Sequence, residues 1–309
     1  MGFYGVDASQ CQLVTALDGK VVSRLRNEPK ALCSWACSLP VDAVVGIEAT
    51  GRYHRAALQA LDEAGIVSYL LNPMKVHRYN QFVKPKVKTD AWDAKMIARY
   101  LEREYDLLTP FKMPSPDLQE LKDLLSYRET LLEKKVALRQ SLGEQTFRLD
   151  SEALMRQAFE SMISEVDSKI REICRSYPLY RRLLTIDGVG PMGAAALTWL
   201  FESHEFRDSD QAVSFVGLDV SVRESGKYKG HSKLTKRGPA FVRTFLFNGV
   251  NSLRNIPELQ PLFEHHAAKK LSPTAVNLVV ARKIVRIAYA FRKKPEAFFE
   301  RKNLLPHLT

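Results

Sequence analysis

The apolar residues of the first hundred positions form short runs separated by polar or turn-forming residues, a spacing typical of strands. The dipeptide Asp18-Gly19, which is typical of hairpin turns, joins the second run to the third. The fourth run is almost entirely apolar, as expected for a central strand that is buried on both faces. Five strands are therefore predicted, over residues 3–7, 11–17, 20–26, 41–48 and 66–71.

Helical periodicity appears between and after these strands. Apolar positions three and four residues apart predict helices over 29–38, 52–64 and 89–103. Three antiparallel strands followed by alternating helices and strands predict a mixed α/β sheet.

The pattern changes at residue 115, where a long helical stripe of leucines begins, with many charges and a break near Asp150. We expect a long antiparallel helical pair there, which fits dimerisation and a plain solvated spacer equally well. A compact, mainly helical part follows from Tyr180. The predicted domains are 1–112, an α/β domain; 113–178, a coiled-coil-like helical spacer; and 179–309, a mainly α C-terminal domain.

The amino-acid composition argues against several classes of protein. The chain has 309 residues, of which 45% are hydrophobic, enough for more than one core. The longest apolar runs, 194–200 and 276–281, are too short to span a bilayer, and the N-terminus lacks the pattern of a secretory signal. Four cysteines without a C-x-x-C pair argue against a zinc site. We therefore expect a cytoplasmic protein without a membrane partner.

The positive charge is concentrated at one end of the chain. The net charge is +11, and the residues from Ser221 onward hold 18 Lys and Arg against 5 Asp and Glu, while the preceding residues are close to neutral. A basic surface of this size attracts a polyphosphate and releases counterions on binding. We expect a nucleic acid as partner; charge that only aids solubility is the alternative.

Four acids stand where predicted elements begin or end. Asp7 ends the first strand in GVDAS, and Glu48 ends the fourth strand in EATGRYH. Asp90 and Asp93 lie three residues apart in KTDAWDAK, on one face of a helix, with the bulky Trp92 between them. Carboxylates that converge repel unless a cation is shared, and Mg²⁺ prefers such oxygens. Alone, each acid also fits a turn, a strand end or a helix cap.

These three motifs resemble the DEDD transposases of bacterial insertion sequences, the IS-one-ten and IS-eleven-eleven group, and the related Piv-type DNA invertases. The resemblance implies an RNase H-like fold of the RuvC type for the first domain. It implies that Asp7, Glu48, Asp90 and Asp93 are catalytic and bind Mg²⁺ or Mn²⁺. It also implies a bacterial, nucleoid-associated enzyme that assembles as a homo-oligomer, a dimer or a tetramer, on double-stranded DNA. Some members use an element-encoded bridge RNA to choose donor and target.

The C-terminal domain carries two further motifs. Residues 183–200 have the form of a helix-hairpin-helix, in which Gly188 and Gly190 would let backbone N–H groups approach a phosphate; a tight turn that touches nothing is the alternative. Residues 215–247 resemble the second conserved domain of the family, in which a serine before glycine is the nucleophile. The resemblance therefore assigns Ser225 as a catalytic nucleophile, with Ser221 and Ser232 as rivals and a simple Ser-Gly turn as the structural alternative.

Basic residues near these motifs are predicted to contact nucleic acid. They are Arg52, Lys84, Lys86, Lys88, Arg223, Lys227, Lys229, Lys233, Lys236 and Arg237. The expected function is metal-dependent DNA cleavage and strand transfer by a transposase. The alternatives are a Piv-like site-specific invertase, a Holliday-junction-type nuclease without serine chemistry, and a binding protein that has kept the fold without the activity.

Overall fold

The fold is taken from a computed structural model, which describes residues 1–49, 51–83, 89–143, 151–221, 224–225, 228–229, 233–236 and 238–305. The chain divides into two compact units, 1–113 and 114–309. In the part that is described, no helix is both long enough and apolar enough to cross a bilayer.

The first unit is built on a five-stranded mixed sheet. Its strands are β1 (Gly2–Ala8), β2 (Gln12–Leu17), β3 (Lys20–Arg26), β4 (Ala43–Glu48) and β5 (Val67–Leu71). Their order across the sheet is β3-β2-β1-β4-β5, with β1–β2 and β2–β3 antiparallel, and β1–β4 and β4–β5 parallel. The predicted mixed α/β sheet is confirmed.

Helices cover both faces of this sheet. Helices α1 (Pro29–Ser38) and α2 (Arg55–Glu63) share one core with the even-numbered side chains of β1, among them Val6. Helix α4 (Asp90–Glu104) packs on the other face. The Thr89 side chain begins α4 by accepting a hydrogen bond from the Trp92 N–H, a typical N-cap.

Helix α3 (Pro73–Val83) is an element that the sequence pattern did not predict. Asn72 precedes it and accepts a hydrogen bond from the Met74 N–H, at 2.9 Å. Val76 is buried, and the Tyr79 ring lies 5.6 Å from that of Tyr100, so α3 packs against α4. The apolar face is narrow, and Lys75, His77 and Arg78 interrupt it in the sequence, so the pattern does not show it.

Where the structure describes it, the second unit consists of helices and two short strand pairs. Its helices are α5 (Pro116–Gly143), α6 (Ser151–Cys174), α7 (Pro178–Leu183), α8 (Pro191–Ser203), α9 (Ser209–Val216), α10 (Ala240–Leu253), α11 (Gln260–Ala268) and α12 (Pro273–Lys293). Arg128 pairs with Asp167 and Lys135 with Glu160, so α5 and α6 are antiparallel, as predicted.

The predicted spacer, 113–178, does not form a core of its own. Leu121 and Leu125 of α5 and Ile170 of α6 belong to one continuous core with α8 and α12. The helical pair is therefore part of the same compact unit as the C-terminal helices, and its separate role as a spacer stays a prediction.

Candidate active site

Helix α4 lies directly on strand β1 at Gly5. A Cβ at this residue would lie 2.1 Å from the carbonyl oxygen of Ala94 and 2.3 Å from the backbone nitrogen of Ala98. Because side chains alternate along a strand, Asp7 projects from the same face as Gly5. The half-buried Asp7 is therefore on the side of the sheet that α4 covers.

Glu48 occupies the matching position on the neighbouring strand. Val6 pairs with Ile47 in the parallel ladder, so Asp7 and Glu48 are the next residues on the two strands. A Cβ at Gly46 would touch the Leu101 side chain of α4, at 3.1 Å, so Glu48, two residues further, projects from the α4 face as well.

The direction of α4 brings its first turn to the same edge. Ala94 lies against Gly5, whereas Tyr105, just after the end of α4, has its ring 5.3 Å from that of Phe3. The helix therefore runs antiparallel to β1. Its N-terminus, with the exposed Asp90 and the half-buried Asp93, points toward the end of the strand that carries Asp7.

The donor set at this edge consists of carboxylates, the hard oxygen ligands that suit Mg²⁺ and Mn²⁺. The residues thus fit such an ion by their chemistry, by their shared face and by their shared edge. Within the described ranges, no three or more His, Cys, Asp or Glu side chains lie close enough together to hold an ion, so no coordination geometry is assigned. The catalytic and metal-binding roles of the four acids stay predictions.

Asn80 of α3 contacts this edge through both ends of its amide. Its Nδ2 donates to Asp93 Oδ1 at 2.9 Å, and its Oδ1 accepts from Trp92 Nε1 at 2.7 Å. The Trp92 indole and the Asp93 carboxylate therefore contact the same amide.

Ser225, the predicted nucleophile, lies between α9 and α10, in a segment with two short antiparallel strand pairs, one inside the other. Strand β6 (Val220–Ser221) pairs with β9 (Lys233–Leu234), and β7 (Glu224–Ser225) pairs with β8 (Tyr228–Lys229). Ser225 is opposite Tyr228, with only residues 226 and 227 between the two strands. Its backbone is therefore at the closed end of a hairpin, and its catalytic role stays a prediction.

Asp219 fastens the base of this hairpin. Its carboxylate accepts hydrogen bonds from the hydroxyls of Ser214 and Thr235. The Thr235 N–H also donates to the Asp219 carbonyl at 3.1 Å, and the Lys236 N–H donates to the Gly217 carbonyl at 3.2 Å. The two ends of the β segment are thereby held together at the C-terminus of α9.

Two transposase-family models match separate parts of the chain. A family model described as a transposase, of the DEDD type of IS110, matches residues 8–145, and a second model, described as the transposase IS116/IS110/IS902 family, matches residues 180–264. The chain belongs to the IS110-type transposase family. Members of this family are DNA-recombining enzymes.

The individual relatives of this transposase-family chain include transposases and a gene-inverting protein. A probable family 20 transposase of Pseudomonas aeruginosa is 24% identical over 82% of this chain and 85% of its own length. A pilin gene-inverting protein of Moraxella lacunata is 25% identical over 82% of this chain and 81% of its own. The transposase for insertion sequence element IS1111A of Coxiella burnetii is 23% identical over 91% and 85%.

The structure describes four of the ten basic residues that were predicted to contact nucleic acid. Arg52 is exposed in the turn after β4, four residues beyond Glu48, and Lys236 is exposed beside the hairpin base. Lys229 and Lys233 lie in the short strands. The others lie outside the described residues: Lys84, Lys86, Lys88, Arg223, Lys227 and Arg237, together with the rival Ser232.

The two glycines before α8 differ in what surrounds them. Gly188 has a φ of +81° and packs on α10, where a Cβ at Gly249 would lie 1.9 Å from the Gly188 carbonyl oxygen. Close helix–turn packing therefore explains Gly188. A Cβ at Gly190 would meet nothing within 4 Å, so the backbone there is open to a ligand. The helix-hairpin-helix and its phosphate contact stay predictions.

Several basic residues of α12 contact other parts of the second unit. Arg282 donates to the Leu218 carbonyl at 2.7 Å, and Lys283 donates to the Leu304 carbonyl at 2.9 Å. Arg286 pairs with Asp210 at 2.9 Å. Burial lowers the pKa of both Arg282 and Lys283. Part of the C-terminal positive charge therefore stabilises the second unit instead of forming a binding surface.

Three residues of the site, Gly5, Asn80 and Asp219, are not predicted by the sequence patterns. Gly5 stands in GVDAS and Asp219 stands in GLDVS, and each is one small or acidic residue among many. Asn80 lies in the stretch 75–88, which contains five Lys and Arg and gives no clear helical pattern. The proximity of Asn80 to Trp92, twelve residues away, is the signal that a sequence pattern does not carry.

Proposed function

We propose that this chain is a transposase that cuts and rejoins DNA through a covalent serine–DNA intermediate, with a divalent metal ion held by Asp7, Glu48, Asp90 and Asp93. Two observations support the proposal in a chain of the IS110 type: Asp7 and Glu48 project from one face of the sheet at matching strand ends, and the first turn of α4, with Asp90 and Asp93, points toward that end. We propose an RNase H-like fold for the first unit, since its mixed five-stranded order agrees with that expectation.

The proposed step is a phosphoryl transfer to Ser225. The Ser225 Oγ attacks a phosphodiester phosphorus, a Ser O–P bond forms, and the P–O3′ bond breaks. The hydroxyl proton ends on the departing 3′ oxygen, which leaves as a 3′-hydroxyl, and the phosphate stays 5′-linked to the protein. A divalent ion at the acids supplies stabilisation of the negative charge that develops on the phosphate oxygens.

Rejoining reverses the same bonds on another strand. A 3′-hydroxyl attacks the phosphoserine phosphorus, a new P–O3′ bond forms, and Ser225 leaves with its proton restored. Because one phosphoester replaces another, neither cut nor join needs an external energy source. A serine hydroxyl is a weak nucleophile until it is activated, so the acids and the serine have to act together.

The basic residues contribute affinity for the substrate. Arg52 is exposed four residues beyond Glu48, where it can bind a backbone phosphate near the acids. Lys236 and the open backbone at Gly190 fit contacts that position nucleic acid without reading its sequence. An element-encoded RNA carries the same phosphates, and RNA that co-purifies with the chain and is needed for cleavage would identify such a guide.

The test is a denaturing-gel assay for protein–DNA adducts on DNA that carries the element ends, with Mg²⁺. The wild-type chain should form an adduct whose DNA is attached to Ser225, as mass spectrometry of the phosphopeptide shows. Ser225→Ala and Asp93→Asn should form none. Ser126→Ala, which changes an exposed serine on α5, serves as the matched control and should behave as wild type.

Two outcomes would redirect the proposal. Cleavage by Ser225→Ala without an adduct would favour a metal-dependent nuclease, and an adduct that moves to Ser221 or Ser232 would reassign the nucleophile. A site-specific invertase is favoured by the pilin gene-inverting relatives. Reaction products decide between the two: inversion of a segment between paired sites, or insertion of an element into new DNA.

A further inference from the structure

We infer that Asn80 is a positioning residue for Asp93: its side-chain amide, oriented by the Trp92 indole, holds the Asp93 carboxylate at the edge where Asp7 and Glu48 also lie. This inference rests on the proposed metal site and adds to it a residue outside the four acids. Asn80 lies on α3, whereas Asp93 and Trp92 lie on α4, so the contact joins two separate helices.

The chemistry of the two partners fixes the direction of the Asn80 amide. An indole N–H is a donor only, so Trp92 Nε1, at 2.7 Å, selects the oxygen end of the amide. The NH₂ end is then directed to Asp93 Oδ1, at 2.9 Å. The carboxylate, which only accepts, selects the same orientation, so without the indole the amide would be held by one hydrogen bond instead of two.

The surroundings of the three residues keep this arrangement stiff. The backbone N–H of Trp92 donates a hydrogen bond to the Thr89 hydroxyl at the start of α4. Next to Asn80, the Tyr79 ring packs on Tyr100, so this part of α3 is fixed on α4. All three members of the contact, Asn80, Trp92 and Asp93, are half-buried.

A neutral donor suits an acid that binds a cation. A lysine or arginine in the place of Asn80 would neutralise the carboxylate and compete with the metal ion, whereas an amide orients it and leaves its charge. Partners of this kind around metal-binding carboxylates set the orientation of the ligand, and their loss weakens metal affinity about 10- to 100-fold.

The first measurement is calorimetric titration of the full-length chain with Mn²⁺ alone. Asn80→Ala should weaken Mn²⁺ binding about 10- to 100-fold, and Trp92→Phe should weaken it less, since the amide remains but loses one of the two hydrogen bonds that orient it. Gln81→Ala is the matched control: this neighbour on α3 is exposed, its side chain contacts His77, and binding should stay at the wild-type level.

The second measurement needs no metal and no DNA. In an indole ¹⁵N–¹H spectrum of the full-length chain, Trp92→Phe identifies the Trp92 signal among those of Trp35 and Trp199. Asn80→Ala should move that signal, because the 2.7 Å hydrogen bond is lost, and Gln81→Ala should leave it in place.

The outcomes separate this inference from the proposed function. Equal Mn²⁺ affinity for the wild type and Asn80→Ala, or an unmoved Trp92 signal, would overturn the role of Asn80 and leave the metal site standing. No Mn²⁺ binding by the wild type would overturn the metal site and the inference with it. If Asn80→Ala fails to fold, as circular dichroism shows, Trp92→Phe carries the same comparison.

Discussion

The backbone of Gly5 on β1 lies so close to that of Ala94 on α4 that a Cβ at residue 5 would approach the Ala94 carbonyl oxygen to 2.1 Å. This contact holds β1, which carries Asp7, against α4, which carries Asp93. Asp7 is two residues beyond Gly5, and Asp93 is one residue before Ala94, so the separation of strand and helix at Gly5 fixes how near the two acids lie.

Gly5→Ala should therefore damage the site and the fold together. The added methyl group forces α4 away from β1, and overpacking of this kind costs about 1–3 kcal/mol of unfolding free energy. We expect a lower melting temperature and weaker Mn²⁺ binding. Gly143→Ala, at a glycine where a Cβ would meet nothing within 4 Å, is the control and should leave both unchanged.

Asp219→Asn should loosen the hairpin that carries Ser225. An amide offers one acceptor oxygen, so the hydrogen bonds from Ser214 and Thr235 cannot both be kept in their present form. We expect faster hydrogen exchange at the backbone N–H groups of Thr235 and Lys236, and slower adduct formation. Asp210→Asn, which removes an acid that pairs with Arg286 at the surface of α9, should leave adduct formation unchanged; equal loss in both variants would contradict a specific role for Asp219.

Variants of Arg282 and Lys236 should distinguish a basic residue that stabilises the fold from one that binds nucleic acid. Arg282→Ala leaves the Leu218 carbonyl without its donor and should cost about 1–3 kcal/mol of stability. Lys236→Ala changes an exposed side chain and should leave the melting temperature unchanged, while DNA affinity falls and the slope of log K against log salt decreases by about 1. Reversed behaviour of the two variants would show that this division of the basic residues is wrong.

The pH dependence of stability should report on His204. Burial lowers the pKa of its imidazole to about 4, and the ring is packed against Trp199 and Phe215. Between pH 6.5 and about 4 the unfolded chain binds a proton that the folded chain does not, so the free energy of unfolding falls as the pH falls. Below about pH 4 both states are protonated and this loss stops.

The size of the effect should be on the order of 2 kcal/mol across that window. Chemical unfolding at pH 7 and pH 4.5 measures it. His204→Phe should show a smaller loss than the wild type. Trp199→Phe, which alters the same aromatic cluster and keeps the histidine, should retain the wild-type dependence; an unchanged loss in His204→Phe would assign the acid sensitivity to other groups.

Local patterns along the chain determined much of the first unit. The period of two in β1 and the apolar run of β4 place Asp7 and Glu48 at strand ends, because side-chain alternation and burial are properties of neighbouring residues. The spacing of Asp90 and Asp93 places them on one helical face for the same reason. The family motifs were also readable, since they are short and contiguous.

Only the tertiary structure decided how these pieces meet. The antiparallel course of α4 over β1 follows from backbone packing at Gly5, and the pairing of Asn80 with Trp92 and Asp93 follows from α3 packing on α4. The internal use of Arg282 depends on a carbonyl 64 residues away. A sequence records which side chains can donate, accept or pack, but the partner of each is chosen by long-range contacts, and these exist only once the chain has folded.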